Sequence, residues 1–81
     1  MATYKCDVKA QYGKFSGFAW KAGDAQGEAV AKDQANSAGA IEQVVATLKG
    51  AGFGQGDEVI FRDTAYGTLA DLKGVMSRAK Y

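Results

Sequence analysis

Thr3-Tyr4-Lys5-Cys6-Asp7-Val8-Lys9-Ala10-Gln11-Tyr12 decides the fold. Tyr4, Cys6, Val8 and Ala10 alternate with Lys5, Asp7, Lys9 and Gln11. A period of two predicts a strand with one buried face and one wet face. Tyr12-Gly13-Lys14 follows as a natural turn, since glycine reaches positive φ without steric cost. Phe15 to Ala22 reads as the second strand, with Phe18, Trp20 and Ala22 on one face. Phe15 breaks that parity, and a bulge at Gly17 is expected to restore it. Gly23 to Gly27 makes a second turn, and Glu28 to Gln34 reads as an alanine-rich third strand centred on Val30. Strands joined by such short turns form an antiparallel meander.

Downstream the period changes. Asn36 and Ser37 are helix N-cap residues, and Ile41, Val44, Val45 and Leu48 fall on one helical stripe. Lys49 and Gly50 end that helix, a cation in the last turn and a glycine just beyond. A glycine loop, Gly50 to Gly56, follows, with Phe53 expected to pack back on the core. Glu58 to Asp63 is the next strand. Its run Val59-Ile60-Phe61 predicts a central strand covered on both faces. Asp63 or Thr64 then caps a turn. Thr68-x-x-Asp71 has the form of a capping box before a helix striped by Leu69, Leu72, Val75, Met76 and Ala79. Arg78 and Lys80 suit that helix's negative end. The expected fold is a single α+β domain over 1–81, in the order β-β-β-α-β-α. The helices pack on the sheet, and the crossover sets the fourth strand parallel to the first.

Composition excludes several chemistries. The 81 residues contain no histidine and one cysteine, Cys6. A histidine base, a Ser-His-Asp triad, an internal disulfide, and a zinc or iron–sulfur site therefore lack their residues. No cofactor is expected. The net charge of +1 gives no global electrostatic footprint for DNA. It also gives little colloidal repulsion, so a homodimer formed by pairing sheet edges is compatible with it. No apolar run is long enough to span a membrane, and Met1 to Lys5 lacks the pattern of a signal peptide. A cytoplasmic location is expected.

Several features invite a functional reading. The Gly50–Gly56 loop follows a helix and opens a strand, the reverse of a dinucleotide-binding loop, so it reads as a helix cap and connection. Lys5 and Lys9, with Lys14, Lys21 and Lys32 nearby, could touch phosphates. Asp7, Asp24, Glu28 and Asp33 dilute that field, so a solvated strand face is the simpler account. Most aromatic rings must fill a small core. Phe15 or Trp20, whichever faces away from the core, is the better protein-contact anchor. Tyr66 and the first turn of the last helix would line a crevice at the end of the fourth strand.

The order of elements resembles the first two-thirds of a ribonuclease H domain, over about Thr3 to Gly74. Gly17-Phe18-Ala19-Trp20-Lys21 is similar to that family's second strand. Asn36-Ser37 is similar to the start of its first helix. Glu58-Val59-Ile60-Phe61-Arg62-Asp63-Thr64-Ala65-Tyr66 is similar to its fourth strand. The resemblance implies clustered carboxylates holding two divalent metals. Asp7 would match the acid on strand one and Asp63 the acid ending strand four. The helix-one glutamate would fall at Ala40, and Glu42 lies about 200° around the helix from there. The family's fourth acid finds no counterpart up to Tyr81. The resemblance thus implies the fold more than the activity.

The leading expectation is a non-catalytic protein-interaction module. It would be a small regulatory or inhibitor protein of the kind carried by phages and mobile elements, with another protein as partner. The alternative is a degenerate ribonuclease H-like nucleic-acid-binding domain, with Asp7 and Asp63 as metal pair and Lys5 and Lys9 on phosphates.

Overall fold

The computed structural model describes residues 2–78. Ala79, Lys80 and Tyr81, which the sequence places at the end of the last helix, lie outside them. The chain runs β1 (Thr3–Gln11), β2 (Lys14–Lys21), β3 (Ala31–Gln34), α1 (Ser37–Gly50), β4 (Glu58–Phe61), β5 (Thr64–Tyr66) and α2 (Leu69–Arg78). It is a small α+β domain with one mixed sheet, ordered β3-β2-β1-β4-β5. As expected, β1, β2 and β3 pair antiparallel, and β4 lies parallel to β1.

The expected order lacked a strand. Thr64–Tyr66 turns back on β4 as an antiparallel partner, so the order is β-β-β-α-β-β-α. Two residues make the turn, Arg62 (φ 49°) and Asp63 (φ 67°). Positive φ at both positions belongs to the tight hairpin turn that matches strand twist. Its usual Asn-Gly or Asp-Gly sequence is absent, which hid the hairpin. The Tyr12-Gly13 turn has the same form, with φ 52° and 73°.

Regular alternation sorts the sheet residues. Tyr4, Cys6 and Val8 of β1, Gly17 of β2, Ala31 of β3, and Val59 and Phe61 of β4 point to one face and are buried. There they meet Ala40, Ile41, Val44 and Leu48 of α1 and Leu72 and Met76 of α2. Among the described residues, the opposite face carries no helix. Ile60 is half-buried between the fully covered Val59 and Phe61. The apolar run of β4 therefore marks a strand covered on one face, which corrects the two-sided expectation.

A third correction concerns β2. Its register with β1 is unbroken from Tyr4↔Lys21 to Gln11↔Lys14. The irregularity lies instead between β2 and β3, where Phe15 pairs Gln34 and Gly17 pairs Ala31. The extra residue belongs to β3, beside Asp33 at φ 51°. Phe15 simply shares the helix-facing side with Gly17 and Ala19, while Phe18 and Trp20 share the other. The third strand is real but short, beginning at Ala31 rather than Glu28.

Local capping fixes the helix ends. The Asn36 side chain accepts a hydrogen bond from the Gly39 N–H at 2.9 Å, and Thr68 Oγ1 accepts from the Asp71 N–H at 3.1 Å. Helix α1 runs through Gly50. Its left-handed terminating residue is Gly52 (φ 93°), with Gly52 N–H on the Lys49 carbonyl and Phe53 N–H on the Leu48 carbonyl. This is a Schellman cap two residues later than the sequence suggests. It lays Phe53 on the core, 5.9 Å from the Tyr4 ring centre. Among the described residues, no helix is long and apolar enough to cross a membrane.

Candidate functional site

The bare face of the sheet gathers most of the residues singled out in the sequence. Lys5, Asp7 and Lys9 of β1 point there, because Cys6 and Val8 point inward. Lys5 stands opposite Trp20 on β2 and opposite Ile60 on β4. One row across the sheet therefore reads Trp20, Lys5, Ile60. In the next row Phe18 stands opposite Asp7, with Arg62 beyond it at the β4–β5 turn. Lys9 follows one row further, its ammonium 5.1 Å from the centre of the Phe18 ring.

These rows enclose a shallow cavity of about 320 Å³. Trp20 and Ile60 supply its apolar surface, Lys5 and Arg62 its cations, and Asp7 and Asp63 its carboxylates. The Arg62 guanidinium lies 3.5 Å from the Asp7 carboxylate and 5.2 Å from the Phe61 ring centre. Asp7 also accepts from the Val8 N–H at 2.8 Å. Its charge is thus partly compensated within the chain. Among the described residues, neither Lys5 nor Lys9 is held in an ion pair.

Of the residues the sequence singled out, Lys5, Lys9, Asp7, Trp20 and Asp63 come together. Phe15 and Tyr66 do not. Both sit on the helix side, half-buried against the core, Tyr66 through its pairing with Val59. Trp20 is accordingly the outward-facing ring. Lys21 shares the side of Tyr4 and lies away from the bare face. Lys32 lies on the edge strand, 3.6 Å from Glu28. The wider basic patch therefore reduces to Lys5, Lys9 and Lys14.

Phe18, Ile60 and Arg62 were missed. One signal for Phe18 was present: in Gly17-Phe18-Ala19-Trp20, small residues alternate with large rings. Small residues on a sheet admit a closely packed helix, so the large rings must point the other way. Ile60 was hidden inside an apolar run, and Arg62 by the unrecognised turn.

The donor chemistry does not fit the two-metal centre that the ribonuclease H resemblance implies. Such a centre needs clustered carboxylates free to face the metals. Here Asp7 faces a guanidinium. The described residues hold no group of three or more His, Cys, Asp or Glu side chains that could bind a metal. Glu42 is exposed on α1, a helix packed against the opposite face. Cys6 offers no nucleophile. Burial, helped by the neighbouring Asp7 charge, pushes its thiol up to about 12, and its Sγ–H lies 3.7 Å from the Ile60 carbonyl. Comparison with known protein families, with curated proteins and with solved structures finds no match for this chain.

Proposed function

We propose that this chain is a non-catalytic interaction module whose working surface is the bare face of its sheet. One observation carries the reading: both helices pack on the same side, so Phe18, Trp20 and Ile60 face outward, and among the described residues no layer covers them. Sheets that put one face to solvent alternate hydrophobic-in with polar-out. Here the outward face carries two aromatic rings and an isoleucine among its polar residues. A large ring left at a surface is the usual anchor of an interface.

The reading separates sharply from a structural role. A ring needed by the core costs about 3–5 kcal/mol when truncated. A ring kept for a partner costs much less. Trp20→Thr keeps strand propensity and should remain folded, its unfolding free energy from urea denaturation lowered by no more than about 1 kcal/mol. Loss of the folded state in Trp20→Thr would end this reading.

A ribonuclease H-like nucleic-acid-binding domain is the second reading. Asp7, Asp63 and Lys5 lining one cavity favour it. It survives here as a binding role without the metal chemistry, because Arg62 stands beside Asp7.

A further inference from the structure

We propose that the bare face takes single-stranded nucleic acid, with an unpaired base stacked on Trp20 and the flanking phosphates on Lys5 and Lys9. This rests on the reading of that face as the working surface and names its ligand.

Three observations select a nucleic-acid strand over a protein. The first is the position of the cations. Lys5 sits in the centre of the face, between Trp20 and Ile60, rather than at a rim. Lysine is depleted where proteins meet proteins, since its ammonium must shed water there. Beside an aromatic platform it is the group that reaches a phosphate. The second is that each outward ring has a cation next to it. Lys5 stands opposite Trp20, and Lys9 lies over Phe18 at 5.1 Å. Neither is held in an ion pair among the described residues. The third is spacing. Phe18 and Trp20 lie about 7 Å apart along β2, and Lys5 and Lys9 about 13 Å apart along β1. The rings and the ammonium groups thus run in parallel tracks, one for bases and one for backbone.

A single strand is required, because stacking needs bases freed from pairing. A duplex would meet this face through phosphates alone. Asp7, between Lys5 and Lys9 on β1 and partly offset by Arg62, and Asp63, on the cavity rim, oppose the strand's charge. The net charge of +1 adds no long-range attraction. Binding should therefore be modest at physiological salt and much stronger at low salt. With two phosphates engaged, the logarithm of the association constant falls against that of salt with a slope of about −1.4.

Trp20 is the chain's single tryptophan, so its fluorescence reports the event directly. The test titrates the full chain with an oligothymidylate of about 10 nucleotides at low salt. Saturable quenching of Trp20 is expected. Lys5→Gln and Lys9→Gln should each weaken binding roughly threefold or more, and Asp63→Asn should tighten it. These exposed positions leave the core untouched. Absence of quenching, equal affinity for a duplex of the same length, or indifference to both lysine substitutions would overturn the proposal. If Trp20→Thr remains folded while no strand binds, the ligand assignment alone fails and a protein partner takes its place. If Trp20→Thr unfolds, the face itself was misread.

Discussion

A Cβ built on Gly17 would stand 2.7 Å from Val44 Cγ2 and 3.0 Å from the Ala40 carbonyl oxygen. Strand β2 and helix α1 therefore touch at a point where only glycine fits. The need is for close approach, since Gly17 is not among the glycines with positive φ. Gly17→Ala should destabilise the domain by about 1–3 kcal/mol, the usual cost of overpacking a filled core. Urea denaturation measures it. Adding Val44→Ala should restore part of the loss, because it removes the nearer clash but not the carbonyl. Additive losses in the double variant would contradict this contact.

That contact also explains what the sequence disclosed and what it concealed. The alternation in β1 and the stripe Ile41, Val44, Val45, Leu48 are periodic over many residues, so their faces were legible. In β2 the alternation groups Phe18 with Trp20 but leaves open whether their face or that of Phe15 is the buried one. The orientation of the rings is set by Gly17 and Ala19, which allow α1 to lie close. The alternation of small residues and rings in β2 points to this arrangement only once a helix is known to lie over the Gly17 and Ala19 side. Strand β5 was illegible for a different reason: its turn uses Arg62 where the backbone favours Asn, Asp or Gly. Of the candidate site, Lys5, Asp7, Lys9, Trp20 and Asp63 were named from sequence. Their juxtaposition with Ile60 and Arg62 needed the register of the β1–β4 pairing, which the expected parallel arrangement leaves open.

The Tyr12-Gly13 turn carries strain that can be relieved. Tyr12 holds φ 52° and is 93% exposed, so its ring gains little from the fold in return. Asparagine tolerates that conformation better and is favoured at this turn position. Tyr12→Asn should stabilise the domain by about 0.5–1 kcal/mol, raising its melting temperature by a few degrees. A lower melting temperature would mean that the Tyr12 ring makes contacts worth more than the strain.

Asp7 and Asp63 can be separated from metal chemistry by one titration. Because the Arg62 guanidinium lies 3.5 Å from Asp7, a divalent cation must displace it to gain only two carboxylates. Manganese should therefore broaden amide signals near Asp63 weakly and without saturation in the millimolar range. Asp63→Asn should leave the remaining broadening unchanged. Tight, saturable broadening at both Asp7 and Asp63 that Asp63→Asn abolishes would restore the metal-pair reading. The same variant binds a single strand more tightly if the bare face takes nucleic acid, so the two readings move in opposite directions.

Asp57 fastens the glycine loop to the start of β1, and its effect on stability has a definite sign with pH. One carboxylate oxygen accepts from the Ala2 N–H at 2.8 Å and the other from the Gly54 N–H at 3.0 Å. These backbone donors, Ala2 first, hold the folded carboxyl below its ordinary value of 3.8. A carboxyl depressed by folding contributes its full stability above the unfolded value, where it is ionised in both states. As pH falls below 3.8, the unfolded chain takes up the proton first and the contribution shrinks. It is gone once pH passes below the folded value. Asp57→Asn keeps the shape but not the charge, so it should be less stable than the parent chain near neutral pH. The gap should stay constant down to about pH 5 and close on further acidification. Urea midpoints of both proteins across that range measure it, urea being uncharged. A gap that widens toward acid, or that ignores pH, would mean that the Ala2 and Gly54 donors do not hold this carboxylate in solution.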